Sequence, residues 1–299
     1  MTRPVQMRPF ASEVVVSKDG TTIGYRRLGA GPGLVLVHGG MQAAQDLMAL
    51  ASLLSDEFTV FVPDRRGRGA SGPFGDPHGL QQEIEDLGVL LRKTGARNVF
   101  GLSVGGLIAL GAARTETIID KVAAYEPPFP LRGPWSTDWV PRLELELARG
   151  DLGSAMATVI KATADPSLIK ALPRGMLAAL MRVAIRAEQR KARGDDVPIA
   201  ALLPTMPYDA RVVRAFEGTL ASFESLRTPS LLLTGNKSER ELRAAVEALA
   251  MTLPNARRVE LSEVGHRAAD NRGQPGIVAR ALRDFFARRD SELLIDARR

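Results

Sequence analysis

A serine can attack a carbonyl only where its neighbours are small and a proton acceptor is brought to it. One stretch of this 299-residue chain has that character. Gly101-Leu102-Ser103-Val104-Gly105 places glycines on both sides of a serine, between an apolar run, Asn98–Leu102, and a small-residue helical pattern, Val104–Arg114. A sharp strand-to-helix turn strains the serine backbone, and small neighbours allow the turn to close. The helix starting at Val104 offers unpaired N–H groups and a positive dipole end to an oxyanion. Gly265-His266 follows the strand pattern Arg257–Leu261 and supplies the best base among three histidines. His38 ends a strand at Gly39-Gly40 and reads as a brace for that turn. His78 lies among Pro73, Gly75, Pro77 and Gly79 and reads as solvated.

Such side chains need a rigid frame, and the rest of the chain supplies its pattern. Glu13–Ser17 and Thr21–Leu28 flank Lys18-Asp19-Gly20 and predict an opening hairpin. Leu34–Val37 and Phe58–Val62 read as buried strands around a helical stretch, Ala43–Leu54. Leu80–Lys93 is amphipathic, with Leu87, Leu90 and Leu91 opposed to Glu83, Glu85 and Asp86. Asn98–Leu102 and Lys121–Tyr125 follow as strands. The rhythm breaks at Glu126-Pro127-Pro128 and resumes with Ser230–Leu233, a helix around Glu239–Thr252, the strand Arg257–Leu261 and a last helix, Ile277–Arg288. Alternating strands and helices imply crossover units and a mostly parallel sheet covered on both faces. The expected organisation is an α/β core from residues 1–126 and 227–299, interrupted by a helical cap over 127–226.

Composition narrows the chemistry. With 45% apolar and 25% charged residues, the chain has the make-up of a globular protein rather than a disordered one. The absence of cysteine excludes thiol catalysis, disulfides and Cys-based metal sites. The net charge of +6 is spread among charges of both signs, so a nucleic-acid groove is not indicated. Arg186–Arg193 is interrupted by Glu188 and Gln189 and reads as a solvated helix end. No apolar stretch is long enough to span a bilayer, and no secretory pattern follows Met1, so the expected location is cytoplasmic, away from membranes. Gly67-Arg68-Gly69-Ala70-Ser71-Gly72 fits a dinucleotide fingerprint, but the following prolines and glycines forbid the helix it needs. It reads as a structural loop in which Asp64 and Arg66 pair locally.

His38-Gly39-Gly40, Asp64-Arg65-Arg66-Gly67-Arg68-Gly69-Ala70-Ser71, Gly101–Gly105 and Gly265-His266 occur in an order that resembles the α/β-hydrolase superfamily. The resemblance implies an eight-stranded, mostly parallel sheet, a helical cap, and a cofactor-free, metal-free Ser–His–acid site on Ser103 and His266. It further implies an oxyanion hole from the backbone N–H groups of Gly40 and Val104. The acid departs from the commonest family pattern, because Ser238 stands in Thr234-Gly235-Asn236-Lys237-Ser238-Glu239 where an aspartate is usual. A hydroxyl cannot stabilise an imidazolium as a carboxylate does. Glu239 is one residue along, at the start of a helix. Glu126 ends the preceding strand, as the acid does in haloalkane dehalogenases and zearalenone lactone hydrolases, and Pro127-Pro128 is expected to hold its backbone extended. Glu126 is the preferred assignment.

Specificity falls to the inserted segment. Trp135 and Trp139 are spaced to share a helix face, and Met156, Met176, Met181 and Met206 are also there. With Met41, the tryptophans are expected to line an apolar pocket. The expected activity is hydrolysis of an ester or lactone in a medium-sized, largely apolar small molecule. The same constellation also serves lyases, cyclases and carbon–carbon bond hydrolases, and an impaired triad would leave a small-molecule binding protein.

Overall fold

The computed structural model describes residues 5–76, 78–131, 138–163, 171–191, 194 and 196–287. Eight strands form one sheet: β1 (Ala11–Val16), β2 (Thr22–Leu28), β3 (Gly33–Val37), β4 (Thr59–Pro63), β5 (Asn98–Leu102), β6 (Lys121–Tyr125), β7 (Ser230–Gly235) and β8 (Ala256–Leu261). Their spatial order is β1-β2-β4-β3-β5-β6-β7-β8. The β1–β2 and β2–β4 pairs are antiparallel, and the rest are parallel. This is the α/β-hydrolase fold that the resemblance implied.

Period-two alternation decides which helices cover which face. Leu34 and Leu36 of β3 pack with α1 (Met48–Leu54) and α10 (Pro275–Phe286), through Leu50, Leu282 and Phe285. Val35 and Val37 face the other way, toward α2 (Leu80–Thr94), α3 (Val104–Thr115) and α9 (Arg240–Thr252). The central parallel strands are buried on both sides, hence the continuous apolar runs at residues 34–37 and 122–124. On α2 the apolar stripe Ile84, Leu87, Leu90 and Leu91 is buried, and Gly95 ends the helix in the left-handed region at φ 70°. The helical stretch expected from Ala43 divides into a 3₁₀ turn, Ala44–Leu47, and α1.

Between β6 and β7 the described residues form helices only: α4 (Val140–Ala148), α5 (Leu152–Thr163), α6 (Arg174–Gln189), α7 (Ile199–Leu202) and α8 (Met206–Arg214), with 3₁₀ turns at Leu203–Thr205 and Leu220–Ser225. They gather a small apolar cluster of their own, including Leu143, Met156, Val159, Ile185 and Leu203. Met41, after β3, packs against that cluster and joins it to the sheet. Gln45 joins the two again, donating to Val197 O and accepting from Val197 N–H. Among the described residues, no helix is long and apolar enough to cross a membrane.

Candidate active site

Ser103 stands between the last residue of β5 and the first of α3, at φ 54° and ψ −122°. That conformation is costly for a residue with a side chain and persists because the surroundings fix it. The Ser103 N–H donates to Tyr125 O at 2.8 Å, so the turn remains pinned to β6. The glycines on either side are needed for contact rather than flexibility. A Cβ on Gly105 would lie 2.4 Å from Val37 O, and one on Gly101 would lie 2.1 Å from Gly105 O. Side chains there would push α3 away from β3 and β5.

His266 reaches Ser103 from the loop after β8. Its Nε2 is 3.2 Å from Ser103 Oγ, and its Nδ1 is 2.8 Å from Glu126 Oε2. A carboxylate only accepts, so Nδ1 carries the proton and Nε2 is left to receive one from Ser103. Tyr125 OH donates to Gly265 O at 2.8 Å and steadies the histidine loop.

Glu126 is fully buried directly after β6. Its other oxygen, Oε1, accepts from Thr234 Oγ1 at 2.9 Å and from Gly235 N–H at 2.7 Å. Burial alone pushes the Glu126 pKa up. The hydrogen bonds from His266 and Gly235 N–H and the nearby His266 charge outweigh it, holding the carboxyl below its ordinary value. Ser238 is buried at the same corner and adds to that depression without a well-aligned hydrogen bond of its own. Glu239 takes the N-cap position of α9, and the carboxylate that meets His266 is that of Glu126. The Glu126 backbone is not extended as expected but left-handed, at φ 45°. Its N–H still completes the sheet, donating to Leu233 O at 3.0 Å, so the chain must turn sharply to leave toward Pro127.

Gly39, Gly40 and Met41 border the opposite side of Ser103. His38 braces their turn: Nε2 accepts from Arg65 N–H at 3.1 Å, and Nδ1 lies 2.9 Å from Gly39 O. Burial, with Arg68 and Arg65 nearby, pushes the His38 pKa well below its ordinary value, which suits a neutral structural ring. A cavity of about 310 Å³ opens above Ser103, between this turn, the histidine loop and the inserted helices. Its wall includes Met41 and Leu202 but also Gln42, Asp46, Glu188, Arg267 and Arg272, so it is more polar than the sequence suggests. The expected substrate-binding residues divide three ways. Met41 lines the cavity, Trp139 packs in the apolar cluster of the inserted helices instead, and Trp135 lies outside the described residues. Met176, also in the inserted segment, is exposed to solvent on α6.

Two further expectations are corrected. His78 is buried rather than solvated: its ring meets Phe74 and Tyr208 edge-on, and those two stack at 3.7 Å. An inserted-segment residue thus covers a loop that looks exposed in sequence. Asp64 and Arg66 do not pair with each other. Asp64 accepts from Ala44 N–H and Ala70 N–H, while Arg66 binds Asp86 with two nitrogens and also reaches Asp19. Thr234, Tyr125 and Asp209 were not singled out from sequence. Asp209 pairs with Arg68 across 141 residues, a separation over which no periodicity carries a signal.

The model of the alpha/beta hydrolase family matches residues 34–281. The chain is 29% identical over 263 residues to a pimeloyl-[acyl-carrier protein] methyl ester esterase of Stenotrophomonas maltophilia, covering 87% of this chain and 94% of that one. It is 25% identical over 258 residues to a 3-hydroxybutyrate-oligomer hydrolase of Cupriavidus necator, covering 78% and 82% of the two chains. Among solved structures, an alpha/beta hydrolase from Sphaerobacter thermophilus superposes with a TM-score of 0.74 at 32% identity, over 92% of this chain and 100% of the other. The esterase RhEst1 from Rhodococcus sp. superposes at 0.66 with 20% identity, over 92% and 98%, a likeness of fold alone. With strand order, the strained strand-to-helix turn at Ser103 and the family model in agreement over most of its length, the chain belongs to the alpha/beta hydrolase family.

Proposed function

We propose that this hydrolase cleaves carboxylic ester bonds, including those of lactones, with Ser103 as nucleophile, His266 as general base and then acid, and Glu126 as the triad carboxylate. The observation carrying the reading is the unbroken relay, 3.2 Å from Ser103 Oγ to His266 Nε2 and 2.8 Å from Nδ1 to Glu126. Nε2 takes the proton as Ser103 Oγ bonds to the carbonyl carbon. The backbone N–H groups of Gly40 and Val104 hold the resulting oxyanion. The same nitrogen returns the proton to the departing alcohol, and water, deprotonated by His266, releases the acid and frees Ser103. Glu126 holds the ring and offsets its charge. None of these steps calls for a metal or an organic cofactor.

The names of the curated relatives support ester chemistry. The inserted helices act as the cap over the site, since Glu188, Val197, Ile199 and Leu202 wall the cavity. Charged groups on that wall favour a small-molecule ester with a polar end over a wholly apolar one. The complete relay supports turnover over an impaired, binding-only site.

Intact-mass analysis after exposure to a serine-reactive phosphonate, beside turnover of p-nitrophenyl butyrate, tests the proposal. One adduct on Ser103 is expected, with none in Ser103→Ala and turnover there reduced ~10⁴-fold or more. Hydrolysis by Ser103→Ala at the wild-type rate would overturn it.

A further inference from the structure

We propose that Asp209, carried by α8 of the inserted segment, is a positioning residue that sets the turn presenting the Gly40 N–H to the reacting carbonyl. The proposal rests on the reading of Gly40 as an oxyanion donor. Three segments distant in sequence meet at this carboxylate. Met41 N–H donates to Asp209 Oδ2 at 3.3 Å. Arg68 Nη2 donates to both carboxylate oxygens, at 2.8 and 2.9 Å, and Arg65 Nη1 lies 2.9 Å from Oδ1. All three ionic side chains are buried.

Two features of the turn tie it to this carboxylate. Met41 has φ 50°, a conformation that an unbranched side chain adopts only when held there. Gly40 has no side chain where one would crowd the same group. A Cβ on Gly40 would have as its three nearest atoms Asp209 Oδ2, Cγ and Cβ, the first at 3.2 Å. The glycine therefore makes room for the carboxylate, and the carboxylate fixes the residue after the glycine.

A negative group so close to a developing oxyanion would oppose the reaction if uncompensated. Arg65 and Arg68 supply that compensation, and Glu83 takes the other side of Arg65 through bonds of 3.0 and 2.7 Å. Arg65 also donates its backbone N–H to His38, the brace beneath the same turn. The strand-end histidine and the inserted-segment aspartate thus grip the turn from two sides through one ionic cluster. The inserted helices would then do more than wall the cavity, because their register against the core decides where the Gly40 N–H points.

A merely structural ion pair would affect stability without singling out the transition state. The test therefore compares wild type, Asp209→Asn and Asp209→Ala by kcat and KM on p-nitrophenyl butyrate. It adds affinity for trifluoroacetophenone, whose carbonyl takes up a serine oxygen to form a tetrahedral oxyanion. Asp209→Ala is expected to lower kcat about 100-fold and ketone affinity by a similar factor, with KM within about threefold. Asp209→Asn keeps an oxygen for Met41 N–H and is expected to recover about tenfold of each loss. If the alanine variant does not fold, the asparagine variant alone carries the comparison, with about tenfold losses in kcat and ketone affinity expected. Unchanged kcat, or a kcat loss without loss of ketone affinity, overturns the role of Asp209. Ser103→Ala, measured alongside, separates the two readings: persistent hydrolysis there defeats the ester-hydrolase reading, whereas an inactive Ser103→Ala with unaffected Asp209 variants defeats only this one.

Discussion

Glu126 accepts three hydrogen bonds in a fully buried position, one of them from the histidine it orients. Converting it to glutamine keeps the shape but removes the charge that offsets the imidazolium and permits the wrong histidine tautomer. Glu126→Gln is therefore expected to lower kcat ~10³–10⁴-fold, while Glu239→Gln at the N-cap of α9 stays within about twofold. Steady-state rates on one chromogenic ester decide between them; the reverse ranking would move the acid to Glu239. The depressed pKa of Glu126 also has a thermodynamic sign. A carboxyl more acidic folded than unfolded adds stability above its ordinary pKa of 4.5 and loses it as pH falls through the folded value. The gap in Tm between wild type and Glu126→Gln should thus narrow below about pH 4.5, and a gap that widens on acidification would contradict the assignment. The meeting of Ser103, His266 and Glu126 was legible because each follows a strand-like run at one edge of the sheet. The left-handed backbone of Glu126 was not, because proline neighbours exclude the helical region without selecting between the alternatives.

At the scale of elements, the site is made by the ends of β5, β6 and β8 and by the approach of α3 to β3. That approach depends on Gly105. A Cβ there meets two backbone oxygens, Val37 O at 2.4 Å and His38 O at 2.5 Å, neither of which can rotate away. Gly105→Ala is expected to reduce unfolding free energy by about 2–3 kcal/mol, read as a lower urea midpoint with an unchanged slope. A midpoint equal to wild type would show that α3 has slack. Strands were legible to within a residue or two, since short β-branched and apolar runs between helical patterns have few other readings. Asn98–Leu102 and Lys121–Tyr125 occur with the expected limits. The inserted helices were legible as helices and opaque as a packed unit. Trp139 and Met156 serve their mutual cluster, and a helical repeat does not say whether its apolar face meets a ligand or a neighbour.

For the whole molecule, the inserted helices are held to the core by the Gln45–Val197 pair and the Asp209–Arg68 pair, both long-range and both invisible to local pattern. Ser103 and Glu126, the proposed nucleophile and acid, are attached differently. Ser103 N–H and Glu126 N–H each donate to a neighbouring strand, so both residues are rungs of the sheet as well as parts of the relay. Many enzymes lose activity in denaturant before they unfold, because their reacting groups sit on loosely held segments. Here the sheet cannot slip by one residue without separating serine from acid. Hydrolysis of p-nitrophenyl acetate, small enough to need little contact with the cavity wall, should vanish along the same urea curve as the near-ultraviolet circular dichroism. Activity disappearing at a lower urea concentration would show the site to be a separate, weaker unit than the sheet. If the curves coincide, catalytic turnover is a direct gauge of the folded population, and a simple ester assay can rank the stability of variants of this chain.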